Sequence, residues 1–126
     1  MEGRFHETQR AMEAPLNAFL SLALQALADI AERLGHTKDA TAYQTESEAI
    51  NRALRHCFFD RDTLLFHSFL DRDWDCYSVL TNSLCLLCGA AVSVNRQVIC
   101  KILLANGPAD TGFHVVSNTL SMNIFR

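Results

Sequence analysis

Apolar residues recur along the chain at helical spacing in two alternating styles. A helix is predicted from about Ala14 to Leu34, and up to Ala31 most positions are apolar apart from a polar line at Asn17, Ser21, Gln25 and Asp29. A helix apolar almost all round is buried on most sides, so this pattern predicts an inner helix. Pro15 suits its first turn, and Gly35 suits a left-handed stop. From about Lys38 to Cys57, Tyr43, Ile50, Ala53, Leu54 and Cys57 form one stripe, with Gln44, Thr45, Glu48, Asn51, Arg52 and Arg55 opposite. That is an amphipathic helix with a wet side, with Thr37 as its expected N-cap. The alternation then repeats. A third helix, about Ser78 to Cys88 and stopped by Gly89, is apolar round most of its girth. A fourth, with Ser93 as expected N-cap, carries Val94, Val98, Ile99, Ile102 and Leu103 on one side and closes at Asn106-Gly107-Pro108. The stretch Phe113 to Phe125 reads as the start of another buried helix.

Between the second and third helices the period fails. Phe58 to His67 reads as two short extended pieces around Asp60-Arg61-Asp62, a β-hairpin-like loop near 58–70. A charged loop, Asp71 to Asp75, follows and carries the single Trp. The short connections within each helix pair predict antiparallel neighbours. The fold class is therefore all-α, built from antiparallel helical hairpins in two layers. A polar N-terminal segment, 1–12, precedes a domain spanning 13–126.

Composition narrows the class. The 126 residues are 49% hydrophobic and 20% charged, with five Gly and two Pro, which is globular and not disordered. Net charge is −3 with the signs mixed, so no basic stripe for nucleic acid is expected. The apolar run Ala14 to Ala28, interrupted by Asn17, Ser21 and Gln25, reads as too short and too polar for a membrane span. Residues 1–6 show no apolar core behind basic residues, so no signal peptide is expected. The five cysteines, mostly in apolar surroundings, predict buried free thiols and a reducing, cytoplasmic setting.

The helix pairs resemble a known family. Ala14-Pro15-Leu16-Asn17-Ala18-Phe19, with Ala28-Asp29-Ile30-Ala31-Glu32, Leu34-Gly35, Asp39-Ala40 and Tyr43, is similar to a recurring pair in six-hairpin glycosidases, most closely the bacterial α-L-rhamnosidases. Ser78-Val79-Leu80-Thr81-Asn82-Ser83-Leu84 resembles the family's next inner helix. Thr111-Gly112-Phe113 with Ser117 to Met122 resembles the entry to the following one. The resemblance covers about 12–126 and implies part of an (α/α)6 barrel. It implies a glycoside hydrolase of carbohydrate metabolism that releases terminal rhamnose with inversion, through an acid and a base held roughly 6.5–9.5 Å apart. In the family those two glutamates lie before and after the matched region, and neither stretch is found here. The chain is thus expected to be a fragment, inactive alone, of an enzyme acting on a rhamnoside.

The resemblance also places the substrate end at loops 58–77 and 107–114. Substrate-binding candidates are Trp74, Asp73, Asp75, Phe113 and His114, with Asp71 and His67 nearby. Trp74 offers a face for sugar C–H groups, and Asp73 and Asp75 offer carboxylates for hydroxyls. The same residues also fit a solvated acidic loop with one packed aromatic. No catalytic residue is assigned, and neither a metal nor a cofactor is expected. Cys85-Leu86-Leu87-Cys88 has half a zinc spacing, but no second pair follows and it sits near a helix end. The polar line from Asn17 to Asp29 could line a cavity or bond a neighbouring helix. Helix faces left apolar at the edges of an open barrel would favour self-association. The alternative is a tetratricopeptide-like scaffold that binds protein. It needs a repeat near 34 residues, and the long 58–76 loop disfavours it.

Overall fold

The structure, a computed structural model, describes residues 13–70 and 77–106. The N-terminal segment 1–12, the loop 71–76 and the stretch 107–126 lie outside them. Helix α1 spans Ala14–Arg33 and α2 spans Thr37–Phe58. Strands β1 (Phe59–Asp60) and β2 (Leu65–Phe66) follow, then α3 (Val79–Cys88) and α4 (Ser93–Asn106). The all-α class with one small hairpin is as the sequence predicts, and it fits part of a helical glycosidase barrel.

Local chemistry sets the ends. Pro15 occupies the first turn of α1. Gly35, at φ +83°, lets the chain turn back, so that its N–H reaches the Glu32 carbonyl (3.0 Å) and the His36 N–H reaches Ala31 (2.8 Å). Thr37 is the first residue of α2 and not its cap: His36 holds the cap position without a side-chain bond. Ser78 caps α3, its Oγ accepting the Thr81 N–H at 3.0 Å. Gly89, at φ +92°, ends α3 as expected. Ser93 belongs to the helix α4 itself and does not stand before it.

α1 packs along α2 and, over a shorter length, against α3. The hairpin pairs antiparallel, Phe59 with Phe66 and Asp60 with Leu65. It abuts the start of α1, where the Ala14 N–H donates to the Ser68 carbonyl at 2.9 Å and Glu13 bridges Phe69. Three chain ends therefore meet at one end of the molecule: the start of α1, the end of α2 and the start of α3. The core runs from that junction through Ala18, Leu54, Phe58, Phe66, Leu84 and Cys85 to Ile99. Phe66 is wholly buried, a contribution of about 1.5–3 kcal/mol from its side chain.

Burial corrects several expectations. α3 is enclosed round most of its girth, but α1 is not. Its buried line is Ala14, Ala18, Ser21, Leu24, Ala28 and Ala31, while Leu16 (65% exposed), Phe19 (51%), Leu20, Leu27 and Ile30 face outward. Small residues on the inner line let α2 approach closely, and the bulky ones are left on the far side. In α2 the buried line is Ala40, Ser47, Asn51, Leu54 and Phe58, whereas Ala53 and Cys57 are exposed. Asn51, which the pattern assigned to the wet side, is held inside by hydrogen bonds. Val94 of α4, expected on the apolar face, is 75% exposed. Cys85 and Cys88 are buried free thiols, but Cys57 and Cys100 are exposed.

The polar line of α1 divides. Ser21 donates to Asn51 Oδ1 (2.7 Å) and pairs with Ser47 Oγ (2.8 Å). Gln25 Nε2 donates to the Cys88 carbonyl (2.7 Å), which Asn51 Nδ2 also reaches (2.8 Å). Buried polar groups need such partners, and here they tie α1, α2 and the end of α3 together. Asn17 and Asp29 remain exposed. At 20 residues α1 is also longer than its apolar run suggested, and by length and composition alone it could cross a bilayer. Its bonds to α2 and α3 are those of a helix packed in protein.

Candidate functional site at the hairpin end

Trp74, Asp73, Asp75, Phe113 and His114, with Asp71, lie outside the described residues. Of the substrate-end residues read from sequence, His67 is described, and it sits in a cluster that sequence reasoning did not assemble.

The cluster is built on β1. Asp60 Oδ2 accepts the Tyr77 hydroxyl at 2.5 Å and lies 3.3 Å from His67 Nε2. Asp60 Oδ1 accepts the Asp62 N–H at 2.8 Å, which folds the turn. The His67 and Tyr77 rings stack with centroids 4.6 Å apart and planes tilted 33°. The Tyr77 hydroxyl holds the Asp60 carboxyl below its ordinary value of 3.8, helped by the Asp62 and Thr63 N–H groups and by the positive charge His67 can carry; partial burial opposes them. Asp60 is thus kept ionised.

Beneath this surface the polar groups are paired. Ser68 Oγ lies 2.6 Å from Thr81 Oγ1, and Ser78 joins both. Asn82 acts as a strand partner: its Oδ1 accepts the Phe66 N–H (2.8 Å), and its Nδ2 donates to the Phe66 carbonyl (3.2 Å) and the Ser78 carbonyl (3.0 Å). These bonds fix the hairpin to α3. The signal that could have found them is the run Thr81-Asn82-Ser83 inside an otherwise apolar helix, since a polar residue on a buried helix must face a partner.

Chemically, the cluster offers a fixed anion, an imidazole and a phenol ring side by side, with His67 and Asp60 each about one-fifth exposed at the side chain. Tyr77 itself is buried and its ring packs on His67, so the part of the cluster that reaches solvent is the edge of His67 and Asp60. Both Asp60 oxygens are engaged, so Asp60 orients its neighbours here.

A second polar hollow, a groove of 460 Å³, lies by the last turns of α1, away from the hairpin. It is lined by Gln25, Asp29, Glu32, Gln44, Glu48 and Asn51. Among the described residues no group of three or more His, Cys, Asp or Glu is placed to hold a metal ion. The Cys85 thiol is pushed well up by burial, and Cys88 is raised by the same cause, so neither is an activated nucleophile.

The helical hairpins agree with comparison to known families. The family model of the mannosylglycerate hydrolase MGH1-like glycoside hydrolase domain matches residues 2–126. The chain belongs to that family. No curated protein and no solved structure matches it. Membership in the MGH1-like glycoside hydrolases gives the succession of helical hairpins a glycosidase context and leaves the tetratricopeptide alternative without support. It bears out the resemblance at the level of a glycoside hydrolase, not specifically of a rhamnosidase.

Proposed function

We propose that this chain is part of the helical barrel of a glycoside hydrolase, that its hairpin end forms one wall of the sugar site, and that it cleaves nothing alone. The match of the MGH1-like family over residues 2–126 carries this reading. The outward apolar side of α1 supports it, because large apolar patches call for a covering partner. Here that partner is the rest of the barrel. Hydrolysis with inversion then takes an acid and a base from outside this chain, while Asp60 and His67, held by the buried Tyr77, stand at the approach to the sugar. The loop bearing Asp73, Trp74 and Asp75, with Phe113 and His114, is proposed to complete that wall.

Two substrates are in view. The family's description favours a mannosylglycerate-type glycoside, and the helix motifs favour a terminal rhamnoside. The buried thiols Cys85 and Cys88 suit a reducing compartment, so we place the enzyme in the cytoplasm. The test is an assay of this chain, and of a polypeptide that joins it to glutamate-bearing barrel helices, on mannosylglycerate and on a chromogenic rhamnoside. We expect no turnover by the chain and turnover of one substrate by the longer polypeptide, with the product anomer inverted. Turnover by the chain itself would overturn the proposal.

A further inference from the structure

On the far flank of the hairpin lies a groove of 710 Å³ between the last turns of α2 and the start of α4. Alternation along β1 sends Phe59 and Asp60 to opposite faces, and it is Phe59 that lines this groove. With it stand Arg52, Arg55 and His56 from α2, Arg61 and Leu64 from the hairpin turn, and Asn95 from α4. No carboxylate lines the groove. Among the described residues none lies within ion-pairing distance of Arg52, Arg55 or Arg61, in a chain whose net charge is −3. Arg55 is held at the groove wall, its Nη1 donating to the Ala90 carbonyl at 2.8 Å, which leaves its other N–H groups for a ligand. Leu64 is held at φ +65°, the single non-glycine residue in the left-handed region among those described. That conformation closes the hairpin turn, the Leu64 N–H donating to the Asp60 carbonyl at 2.7 Å, and fixes Leu64 at the groove edge.

We propose that this groove is an oxyanion site, taking the carboxylate or phosphate of a small organic molecule whose apolar part rests on Phe59 and Leu64. Guanidinium groups match both anions through paired N–H donors. Asn95 adds a neutral amide, and the volume suits a small ligand. The site stands independently of which glycoside the enzyme cleaves.

Proton–nitrogen correlation spectra of the chain test it, with inorganic phosphate or acetate titrated in at constant ionic strength set by sodium chloride. Saturable shifts are expected at the side chains of Arg52, Arg55 and Arg61 and at the Asn95 backbone, and the tighter of the two anions identifies the source. The exposed pair R52Q/R61Q should weaken binding by about tenfold or more, while R33Q, on a distant exposed arginine, should leave it unchanged. Shifts that do not saturate, that chloride alone reproduces, or that persist in R52Q/R61Q would overturn the assignment.

Discussion

The two sides of α1 reverse the usual arrangement of a surface helix. Toward α2 and α3 it presents alanines, Ser21 and Gln25, all bonded or closely packed. Toward solvent it presents Leu16, Phe19, Leu20, Leu27 and Ile30. The inner side finds its partners in α2 and α3, whereas the outer side leaves bulky apolar residues uncovered. The difference separates what holds the hairpins together from the surface that the proposed barrel would cover. Substitutions should therefore act on one property or the other.

The largest effect is expected on the inner side, at the hairpin junction. Phe66→Ala should cost about 3–5 kcal/mol, as truncation of a fully buried aromatic does, read as a lower denaturant midpoint. Asn82→Ala should cost about 1–3 kcal/mol, since it leaves the Phe66 N–H without its side-chain partner, and should raise amide exchange at Phe66 first. Acid should act next. The unfolded chain takes up the Asp60 proton before the folded one, because the folded carboxyl sits below 3.8. The stability Asp60 contributes is thus present above that value and is lost as pH falls through the folded pKa. Asp60→Asn should flatten the loss of stability below pH 3.8 in acid unfolding curves.

The outer side should behave oppositely. Replacing Leu16, Phe19, Leu20 and Leu27 together with Gln should change stability little, within about 0.5 kcal/mol per site, yet reduce association seen by light scattering. A native chain that is already a clean monomer would break the comparison. The smallest energetic consequence is at the cysteines. Cys57 and Cys100 should react with a thiol reagent in the native chain, and Cys85 and Cys88 only after unfolding, as peptide mapping would show.

Element ends were legible in the sequence because they depend on neighbours only. Pro15, Gly35, Ser78 and Gly89 each act within a turn, and the structure places each helix end beside them. Sidedness was less legible. Periodicity revealed a polar line on α1 but not that Ser47 and Asn51 would turn inward to meet it. On a lone amphipathic helix Asn51 belongs with the wet residues, and only a second helix supplying Ser21 and the Cys88 carbonyl reverses that. The cluster of Asp60 and Tyr77, 17 residues apart, was hidden for a related reason: the hairpin return brings them together, and no short motif spells it. His67 was named for its loop position, but its partners were not. The family was legible at the level of a glycosidase, from helix order, and its finer assignment was not, since Ala/Leu helix patterns are shared between barrels of different specificity.

The three-residue connection between α1 and α2, Leu34 to His36, has a consequence for assembly in time. Contacts between segments so near in sequence form fast, because little loop entropy is lost in making them. As the polypeptide leaves the ribosome, this helical pair can zip shut around Ser21, Ser47 and Asn51 while later helices are still being made. Its flank of Leu16, Phe19, Leu20, Leu27 and Ile30 stays uncovered meanwhile, and exposed apolar surface of that kind makes a nascent chain prone to aggregate.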